Sequence, residues 1–380
     1  MESPIYLDYN ATTPIDPEVA NEMLPFFQDF FGNPSSAYAI GRASKEAIAK
    51  ARKQVANLIN ANPEEIVFTG SATESNNLAI HGFMLANKNK GTHIITSAVE
   101  HPAVTEVCRY LSTLGYQITY IEVDGFGRVN PNNVEKAIRP DTALITIMHA
   151  NNEVGTIQPI SEIAAIAKKN NIAFHTDASQ SVGKIEADVT KLGVDLLTIA
   201  GHKIYAPKGV GALYIKEGIK IQNIVHGAGQ EHGIRPGTEN VMHLVGLGKA
   251  CEIAHRDFEK NHQNMRSTRD ALLSGLRKYL ADNVLLNADL QNCLPNTLSI
   301  SFKKVEAHTL ASVISKTICI STGSACHADS IEISSVLKAM NLDSKKAAGT
   351  IRISTGKHTT VAEIEAAVQL ISDAVKKLSI

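Results

Sequence analysis

The stretch Leu196–Gly211, LLTIAGHKIYAPKGVG, places a lysine directly after a strand-like apolar run. Lys203 follows Gly201 and His202 and precedes a turn rich in proline and glycine. An amine held dry at the end of a buried strand has a lowered pKa and can act as a Schiff-base nucleophile. A single loop lysine is ordinarily solvated, so other residues must decide between these two interpretations.

Polar residues also follow other strand-like runs, at the positions where each run ends. The turn that carries Thr73 opens a helix, and its free N–H groups and hydroxyl suit a phosphate. Because ligands bind beyond the carboxyl ends of the strands in open α/β sheets, these positions are expected to share one edge. The candidates at this edge are Thr73, His101, Asn152, Asp177, Gln180 and His202.

Each candidate also has an ordinary structural explanation. His101 suits a hydrogen-bonded loop histidine, Asp177 a helix N-cap and Thr73 a turn. Together, however, a phosphate cradle, an imidazole, a carboxylate and a lysine are the parts that a pyridoxal-phosphate enzyme needs. In such a site the lysine forms an imine, and the carboxylate keeps the ring nitrogen protonated so that the ring works as an electron sink.

Motifs for other cofactors are incomplete or missing. The pattern G-x-G-x-x-G is missed by one residue in Gly227–Gly233, which does not follow a strand-like run. Neither G-x-x-x-x-G-K-[ST] nor H-E-x-x-H occurs. The sequence therefore gives little support to a nicotinamide, ATP or zinc site, and no metal is expected.

Two further residues stand in suggestive surroundings. Cys326 lies in the small and polar run Ser321–Ser330, which is expected to be an exposed, mobile loop, so its thiol is either reactive or merely solvated. Arg352 is flanked by isoleucines, which indicates a half-buried guanidinium. It is either one partner of a structural ion pair or a bidentate clamp for a substrate carboxylate.

Strand-like runs alternate with helical segments in the first two thirds of the chain. These runs are continuously apolar, as in strands buried on both faces, so the pattern predicts an α/β fold with a mainly parallel sheet. The predicted strands are Glu65–Thr69, His93–Thr96, Ile118–Val123, Ala143–Met148, Ile172–Thr176, Leu196–Ile199 and Val210–Ile215. The predicted helices are one from about Ser44, then Ser75–Asn87, Ala103–Leu114, Pro131–Ile138, Ile160–Lys169 and Val241–Ala254.

The composition changes beyond about residue 255. A charged helix, Asp257–Leu280, precedes two short strands, Thr297–Ser301 and Ile318–Ser321. The last helix, Thr360–Leu378, carries apolar residues at helical spacing along one face. We therefore expect a large domain over residues 15–255 and a smaller α+β domain formed by residues 1–14 and 256–380, which carries the Cys326 loop.

Composition excludes several classes of protein. A chain of 380 residues with 44% hydrophobic and 20% charged residues is typical of a soluble globular protein. A net charge of −1 gives no sign of a nucleic-acid or membrane partner. Five cysteines without a C-x-x-C pair argue against a disulfide framework and fit a reducing compartment. The N-terminal residues lack a signal pattern, so a cytoplasmic location is expected.

With these residues in place, the chain resembles the cysteine desulfurase and selenocysteine lyase family along nearly its whole length. The resemblance rests on YLDYNATTPIDP, GNPSS, TGSATESNN, EHPAV, HANNEVGTIQPI, HTDASQSVGK, GHKIYAPKGVG, IRPGTENV, LPNT, GSACHADS and IRISTGKHTT. It implies a fold-type-I, class-V aminotransferase-like enzyme dependent on pyridoxal 5′-phosphate, with a seven-stranded sheet between helices.

The resemblance also implies roles for individual residues. Lys203 would hold the cofactor as a Schiff base, His101 would stack on its ring, and Cys326 would act as the catalytic thiol. Asp177 would pair with the ring nitrogen and Gln180 with the ring hydroxyl. Four residues would bind phosphate or substrate carboxylate: Thr73, His202, Asn152 and Arg352.

Thr238 would reach the phosphate of a partner subunit, which implies a homodimer. A sulfur or selenium acceptor protein is a further implied partner.

Departures from the family pattern bear on the substrate. Ala200 stands where many desulfurases carry a phosphate-binding serine, whereas Cys326–Asp329 is similar to selenocysteine lyases. The favoured hypothesis is a lyase that forms alanine from L-selenocysteine. The alternatives are a cysteine desulfurase that forms a Cys326 persulfide, an aminotransferase of the same fold, and a non-catalytic sulfur carrier.

Overall fold

The computed structural model describes residues 4–327 and 330–379, with side chains described except at 324–327 and 330–332. The first element is the short strand β1 (Ile5–Tyr6), which lies far in sequence from the strand that it pairs with. A large sheet follows it along the chain. Its strands are β2 (Ile66–Thr69), β3 (His93–Ser97), β4 (Gln117–Ile121), β5 (Thr142–Thr146), β6 (Ala173–Asp177), β7 (Leu196–Ala200) and β8 (Gly211–Ile215).

Within the described residues the large sheet has seven strands in the order β2-β8-β7-β6-β5-β3-β4. Strand β8 runs antiparallel to both β2 and β7, and the remaining neighbours are parallel. Strands β2, β3, β5, β6, β7 and β8 are buried along their full length, because helices cover both faces of the sheet. The mainly parallel seven-stranded sheet expected from the sequence is thereby confirmed.

Helices of the first part of the chain connect and cover these strands. They are α1 (Pro17–Met23), α2 (Ala39–Ile59), α3 (Ala72–Asn77), α4 (Phe83–Ala86), α5 (Pro102–Thr113), α6 (Pro131–Ala137), α7 (Ile160–Lys169), α8 (Val189–Leu192) and α9 (Val241–Arg256). Apolar residues of α2, α7 and α9 share one core with Phe68 and Phe174 of the sheet.

Two helices begin earlier than their apolar periodicity predicted. Helix α2 starts at Ala39 rather than near Ser44. Helix α3 starts at Ala72 because the Ser71 hydroxyl accepts the N–H of Glu74 at 3.1 Å and caps the first turn. A π-type turn, Leu78–Gly82, joins α3 to α4. The earlier start places Thr73 in the first turn of a helix.

The rest of the chain forms a second, smaller set of layers. Its strands are β9 (Val284–Leu286), β10 (Thr297–Phe302), β11 (Ile318–Cys319), β12 (Ser321–Thr322), β13 (Ser324–His327), β14 (Ser330–Ile333) and β15 (Thr350–Ser354). Its helices are α10 (Phe258–Leu280), α11 (Ala307–Ile314), α12 (Ser335–Ala339), α13 (Ser344–Ala348) and α14 (Val361–Leu378). Strands β12, β15, β10 and β9 form an antiparallel sheet in that order.

The backbone around Cys326 differs from the loop that the sequence predicted. Strands β13 and β14 pair as an antiparallel hairpin, with Cys326 opposite Ile331. A run of Ser, Gly, Ala and Cys shows no alternation of apolar and polar residues, so the sequence carried no signal for these strands. The predicted strand Ile318–Ser321 is likewise divided into β11 and β12.

Strand β1 attaches the beginning of the chain to the smaller part. It pairs in parallel with β11, and the buried Leu7 belongs to the same apolar core as α10 and α14. No helix among the described residues is long and apolar enough to cross a membrane.

Candidate active site

A cavity of about 410 Å³ lies at the carboxyl ends of strands β5, β6 and β7. Most of the residues singled out in the sequence meet there. They are Thr73, His101, Asn152, Asp177, Gln180, His202, Lys203 and Arg352. A cavity of this size is in the range that holds a small molecule or cofactor.

Lys203 ends a short 3₁₀ turn, Gly201–Lys203, that follows β7. Its Nζ donates to two backbone carbonyls of the N-terminal segment, Asn10 O at 2.5 Å and Ala11 O at 2.7 Å. The amine is therefore held in a fixed position at the cavity wall. The interpretation of Lys203 as a freely solvated loop lysine is wrong.

The electrostatic surroundings of Lys203 favour its neutral form. Desolvation lowers the pKa of its amine to about 8, and the charge of Arg352 acts in the same direction. The carboxylates of Asp8 and Asp177 oppose this shift. A larger fraction of the amine is thus unprotonated near neutral pH than for an ordinary lysine, as a nucleophile requires.

Asp177 ends strand β6 and is buried. Its Oδ2 accepts the Nδ2 of Asn76 at 2.8 Å, and its Oδ1 accepts the backbone N–H of Ser179 at 2.9 Å. Two donors from different elements therefore fix the carboxylate at the cavity wall. A carboxylate so placed can hold a protonated ring nitrogen.

His101 caps helix α5 and is exposed where it lines the cavity. Its Nδ1 accepts the backbone N–H of Ala103 at 3.1 Å, which places the proton of the neutral ring on Nε2. Desolvation lowers the pKa of the ring, while Asp177 opposes and Lys203 adds to the shift. The imidazole is therefore a neutral N–H donor near neutral pH.

A helix start and a second histidine also line the cavity. Thr73 is exposed in the first turn of α3. Nδ1 of His202 lies 3.1 Å from the hydroxyl of Thr12, and desolvation lowers the pKa of His202 to about 4, so this ring is neutral. Ala200 lines the same cavity without offering a hydroxyl.

Arg352 of β15 forms the ion pair that the sequence left open. Its guanidinium contacts Oδ1 of Asp8 at 2.6 Å, the Ser321 hydroxyl at 2.8 Å and the carbonyl of Asn152 at 3.0 Å. Its Nε is buried and has no hydrogen-bond partner among the residues that the structure describes. The guanidinium is thus fixed by structural contacts and still lines the cavity.

Two predicted site residues are not brought to the cavity in this way. Thr238 is exposed and is not among the residues that line it. The backbone of Cys326 belongs to β13, but its side chain lies outside the described residues. Of the other cysteines, Cys108, Cys251 and Cys293 are buried, whereas Cys319 is only partly buried.

Sequence reasoning missed residues that hold the site together. Asn10 is buried, and its carbonyl contacts Lys203. Glu100 is also buried; it accepts the Ser97 hydroxyl at 2.6 Å and the N–H of Met148 at 2.9 Å, and desolvation raises its pKa to about 8. Their position within the motifs YLDYNATT and EHPAV was the only available signal.

The residues present fit pyridoxal 5′-phosphate. An amine of lowered pKa and a fixed carboxylate line one cavity with a helix start and a neutral histidine. The hydroxyl of Ser179, at the same cavity, is buried without a hydrogen-bond partner in the described part of the chain. An unsatisfied buried hydroxyl is costly, which favours a ligand that supplies the missing contact.

Comparison with known proteins agrees with this chemistry. The cysteine desulfurase IscS of Dictyoglomus turgidum is 47% identical over 379 residues, covering 100% of this chain and 96% of that protein. The protein of the same name from Methanosarcina thermophila is 45% identical and covers 98% of this chain and 92% of its own. A solved NifS-like protein superposes with a TM-score of 0.92 at 38% identity, over 98% of this chain and 100% of that one.

The family described as aminotransferase class-V matches residues 5–367. The chain therefore belongs to the class-V aminotransferase family of pyridoxal 5′-phosphate enzymes.

Proposed function

We propose that the protein is a cysteine desulfurase, which converts L-cysteine to L-alanine and passes the sulfur to Cys326. The observation that carries this proposal is the similarity to relatives named cysteine desulfurase, which are 42–47% identical over 98–100% of the chain. These relatives favour cysteine over the selenocysteine substrate that the sequence motifs suggested.

We assign roles to the cavity residues from the family resemblance, and their contacts support these roles. When bound, pyridoxal phosphate supplies an electron sink next to the substrate Cα. Lys203 would hold the cofactor through its amine, and the lowered pKa of that amine suits it as the base for the Cα proton. Asp177, fixed by its two donors, would hold the ring nitrogen. Gln180 would donate to the ring hydroxyl, and the neutral His101 would lie against the ring and carry a proton.

Binding of the charged groups is shared between two ends of the cavity. At one end Thr73 and His202 bind the phosphate with neutral donors. At the other, Asn152 and Arg352 orient the substrate carboxylate. A guanidinium held by Asp8 is already positioned before the substrate arrives, so less entropy is lost on binding.

Cys326 acts on the substrate sulfur. Its thiolate forms the S–S bond as the C–S bond of cysteine breaks; the electron pair of that bond stays on carbon, which is protonated to give alanine. The products are alanine and a Cys326 persulfide, and an acceptor protein or a thiol then removes the outer sulfur.

The decisive assay compares cysteine and selenocysteine as substrates under anaerobic conditions. We expect alanine from cysteine in the presence of a thiol, and its loss in Cys326→Ala. Cys108→Ala serves as a control, because Cys108 is buried away from the cavity. An aminotransferase would keep its activity in Cys326→Ala and would form no persulfide, and a non-catalytic carrier would be unaffected by Lys203→Ala.

Selenocysteine lyase activity is the second candidate function. Ala200 lacks the hydroxyl of the serine that many desulfurases carry at this position, and Cys326 is followed by His-Ala-Asp, as in selenocysteine lyases. Rapid turnover of selenocysteine with negligible turnover of cysteine would support it and overturn the desulfurase proposal.

The functional unit that we propose is a homodimer in which Thr238 reaches the phosphate of the other copy. In the single chain Thr238 is exposed away from the cavity. Apolar side chains of the segment 24–38 are also strongly exposed, which is unusual for a surface without a partner. They are Leu24, Phe27, Phe31 and Tyr38, at 61%, 61%, 72% and 60% exposure.

A mixed dimer tests the crossing of Thr238. Copies carrying Lys203→Ala and Thr238→Ala are combined with different tags and purified together. If Thr238 acts across the dimer, one site is intact and half of the wild-type activity remains. If it acts within its own chain, the activity falls to half that of Thr238→Ala.

The domain division that we propose places residues 15–255 in a large cofactor-binding domain and residues 1–14 with 256–380 in a small one. Separate apolar cores support it, since Leu7 packs with residues from α10 onwards and not with the core of the large sheet.

A further inference from the structure

Lys184 is a buried amine that the proposed reaction does not use. Its residue is only 5% exposed, and its Nζ donates to Oε1 of Gln180 at 3.0 Å and to Oδ1 of Asn10 at 3.3 Å. Both acceptors are neutral amides, and among the described side chains no carboxylate pairs with it. Burial of an amine without a counter-ion is unfavourable, so its presence calls for a role.

The contact with Lys184 determines which way the Gln180 amide faces. Lys184 donates to both of its partners, and a protonated lysine amine has no lone pair with which to accept a hydrogen bond, so it requires an oxygen on the Gln180 side. Oε1 therefore faces Lys184, and Nε2 faces the opposite way, where it donates to the carbonyl of Asn10 at 3.0 Å.

Gln180 and Asn10 both line the cavity, whereas Lys184 lies behind them. The carbonyl of Asn10 also receives the amine of Lys203 at 2.5 Å. The side chain of Asn10 is also fixed, because its Oδ1 accepts from Asn296 at 2.9 Å and its Nδ2 donates to Thr297 at 2.8 Å. The Lys184 amine thus binds the side chains of two cavity residues, Gln180 and Asn10. The backbone carbonyl of Asn10 in turn contacts Lys203.

We propose that Lys184 is a positioning residue, which orients the Gln180 amide so that the second N–H of Nε2, beside the one donated to Asn10, faces the ring hydroxyl of the bound cofactor. Without Lys184, the Asn10 carbonyl alone holds the Gln180 amide, so the amide rotates more easily and offers its N–H to the ring hydroxyl for a smaller fraction of the time. This inference rests on the proposed contact between Gln180 and the ring hydroxyl, and the experiment separates the two.

The experiment compares the dissociation constants of pyridoxal 5′-phosphate and of its 3-deoxy analogue, which lacks the ring hydroxyl. They are measured on the full-length apoprotein carrying Lys184→Met, Gln180→Ala or both. We expect each single variant to weaken binding of pyridoxal phosphate by roughly 10-fold. Binding of the 3-deoxy analogue should change less than about 2-fold, and the double variant should resemble Gln180→Ala.

This comparison of single and double variants tests the Gln180 contact and the Lys184 role separately. If Gln180→Ala weakens binding of pyridoxal phosphate and of the 3-deoxy analogue equally, Gln180 does not contact the ring hydroxyl, and the proposed contact is overturned. Suppose that Gln180→Ala weakens binding of pyridoxal phosphate only. The positioning role of Lys184 is then refuted if Lys184→Met weakens binding of both probes equally, or if its effect on binding adds fully to that of Gln180→Ala in the double variant.

Two further variants guard against a general structural effect. Lys191→Met removes an exposed lysine that pairs with Glu186, and it should leave both constants unchanged. If Lys184→Met does not fold, as judged by circular dichroism of the apoprotein, Lys184→Gln takes its place. It keeps a donor of shorter reach, so we expect intermediate discrimination between the probes; equal affinity losses for both probes would refute the role.

Discussion

Asp8 and Arg352 form an ion pair of 2.6 Å between residues 344 positions apart in the sequence. The pair joins the segment after β1 to strand β15 and fixes the guanidinium that lines the cavity. Its side chains are only 16% and 12% exposed, so solvent weakens it less than an exposed pair. The position of the guanidinium, which we propose binds the substrate carboxylate, therefore depends on the segment that carries Asp8.

Asp8→Asn tests this dependence. The variant keeps an oxygen acceptor but loses the charge, so Arg352 is held less firmly. We expect the KM for cysteine to rise about 10-fold with little change in kcat, because the carboxylate contact is the same in the bound substrate and the transition state. Glu135→Gln, which breaks the exposed pair with Lys169, should change neither constant. An unchanged KM in Asp8→Asn would contradict the argument.

The lowered pKa of Lys203 can be measured on the apoprotein. We expect the rate at which an amine-specific reagent labels Lys203 to rise with pH around a midpoint of about 8, well below 10.5 for an ordinary lysine. Peptide mapping by mass spectrometry follows each lysine separately. Lys191 is the internal reference, because its hydrogen bond to Glu186 raises its pKa. Equal midpoints for the two lysines would exclude the predicted shift.

Glu100 makes the stability of the protein depend on pH. Burial raises its pKa to about 8 from a usual value of 4.5, so the folded state binds a proton that the unfolded state has released between these values. The stabilisation is complete below pH 4.5 and is lost as the pH rises through 8, with a slope of up to about 1.4 kcal/mol per pH unit.

In Glu100→Gln this contribution to the slope is absent. Urea unfolding of the apoprotein at several pH values should show the variant gaining stability relative to the wild type as the pH rises from 5 to 9. Glu64→Gln, at an exposed position, is the matched control. A constant difference between variant and wild type over this range would show that Glu100 is already ionised in the folded protein.

Ala200→Ser restores a hydroxyl at the end of the cavity next to His202. Ala200 is buried and lines the cavity. We expect one additional hydrogen bond to the phosphate, worth about 1 kcal/mol, and hence about 5-fold tighter binding of pyridoxal phosphate. Ala206→Ser, at a buried alanine outside this cavity, should bring no gain. Binding as weak as in the wild type would mean that position 200 does not face the phosphate.

Local sequence patterns were sufficient to predict the site residues that lie at the ends of strands. Lys203 and Asp177 follow continuously apolar runs, and the carboxyl ends of such strands meet at one edge of a parallel sheet. The same patterns predicted strand β6 and helix α7 to within one residue.

Contacts between distant segments were not predictable in this way. Asn10 reaches Lys203 only because Leu7 is buried in the core of the smaller part and brings the segment with it. Asn76 meets Asp177 across 101 positions, and no periodicity reveals such a pair. The hairpin of β13 and β14 was missed because small residues carry no strand signal.

The segment that carries Asn10 runs on past the cavity along the 3₁₀ turn of Lys203. The N–H of Thr13 donates to the carbonyl of His202 at 3.0 Å, and the N–H of Asp16 donates to that of Tyr205 at 3.1 Å. A tag or fusion partner that displaced this segment would inactivate the enzyme, although every cavity-lining residue of the large sheet would remain unchanged. Immobilisation of the protein on a sensor or resin is therefore better done through the end of helix α14.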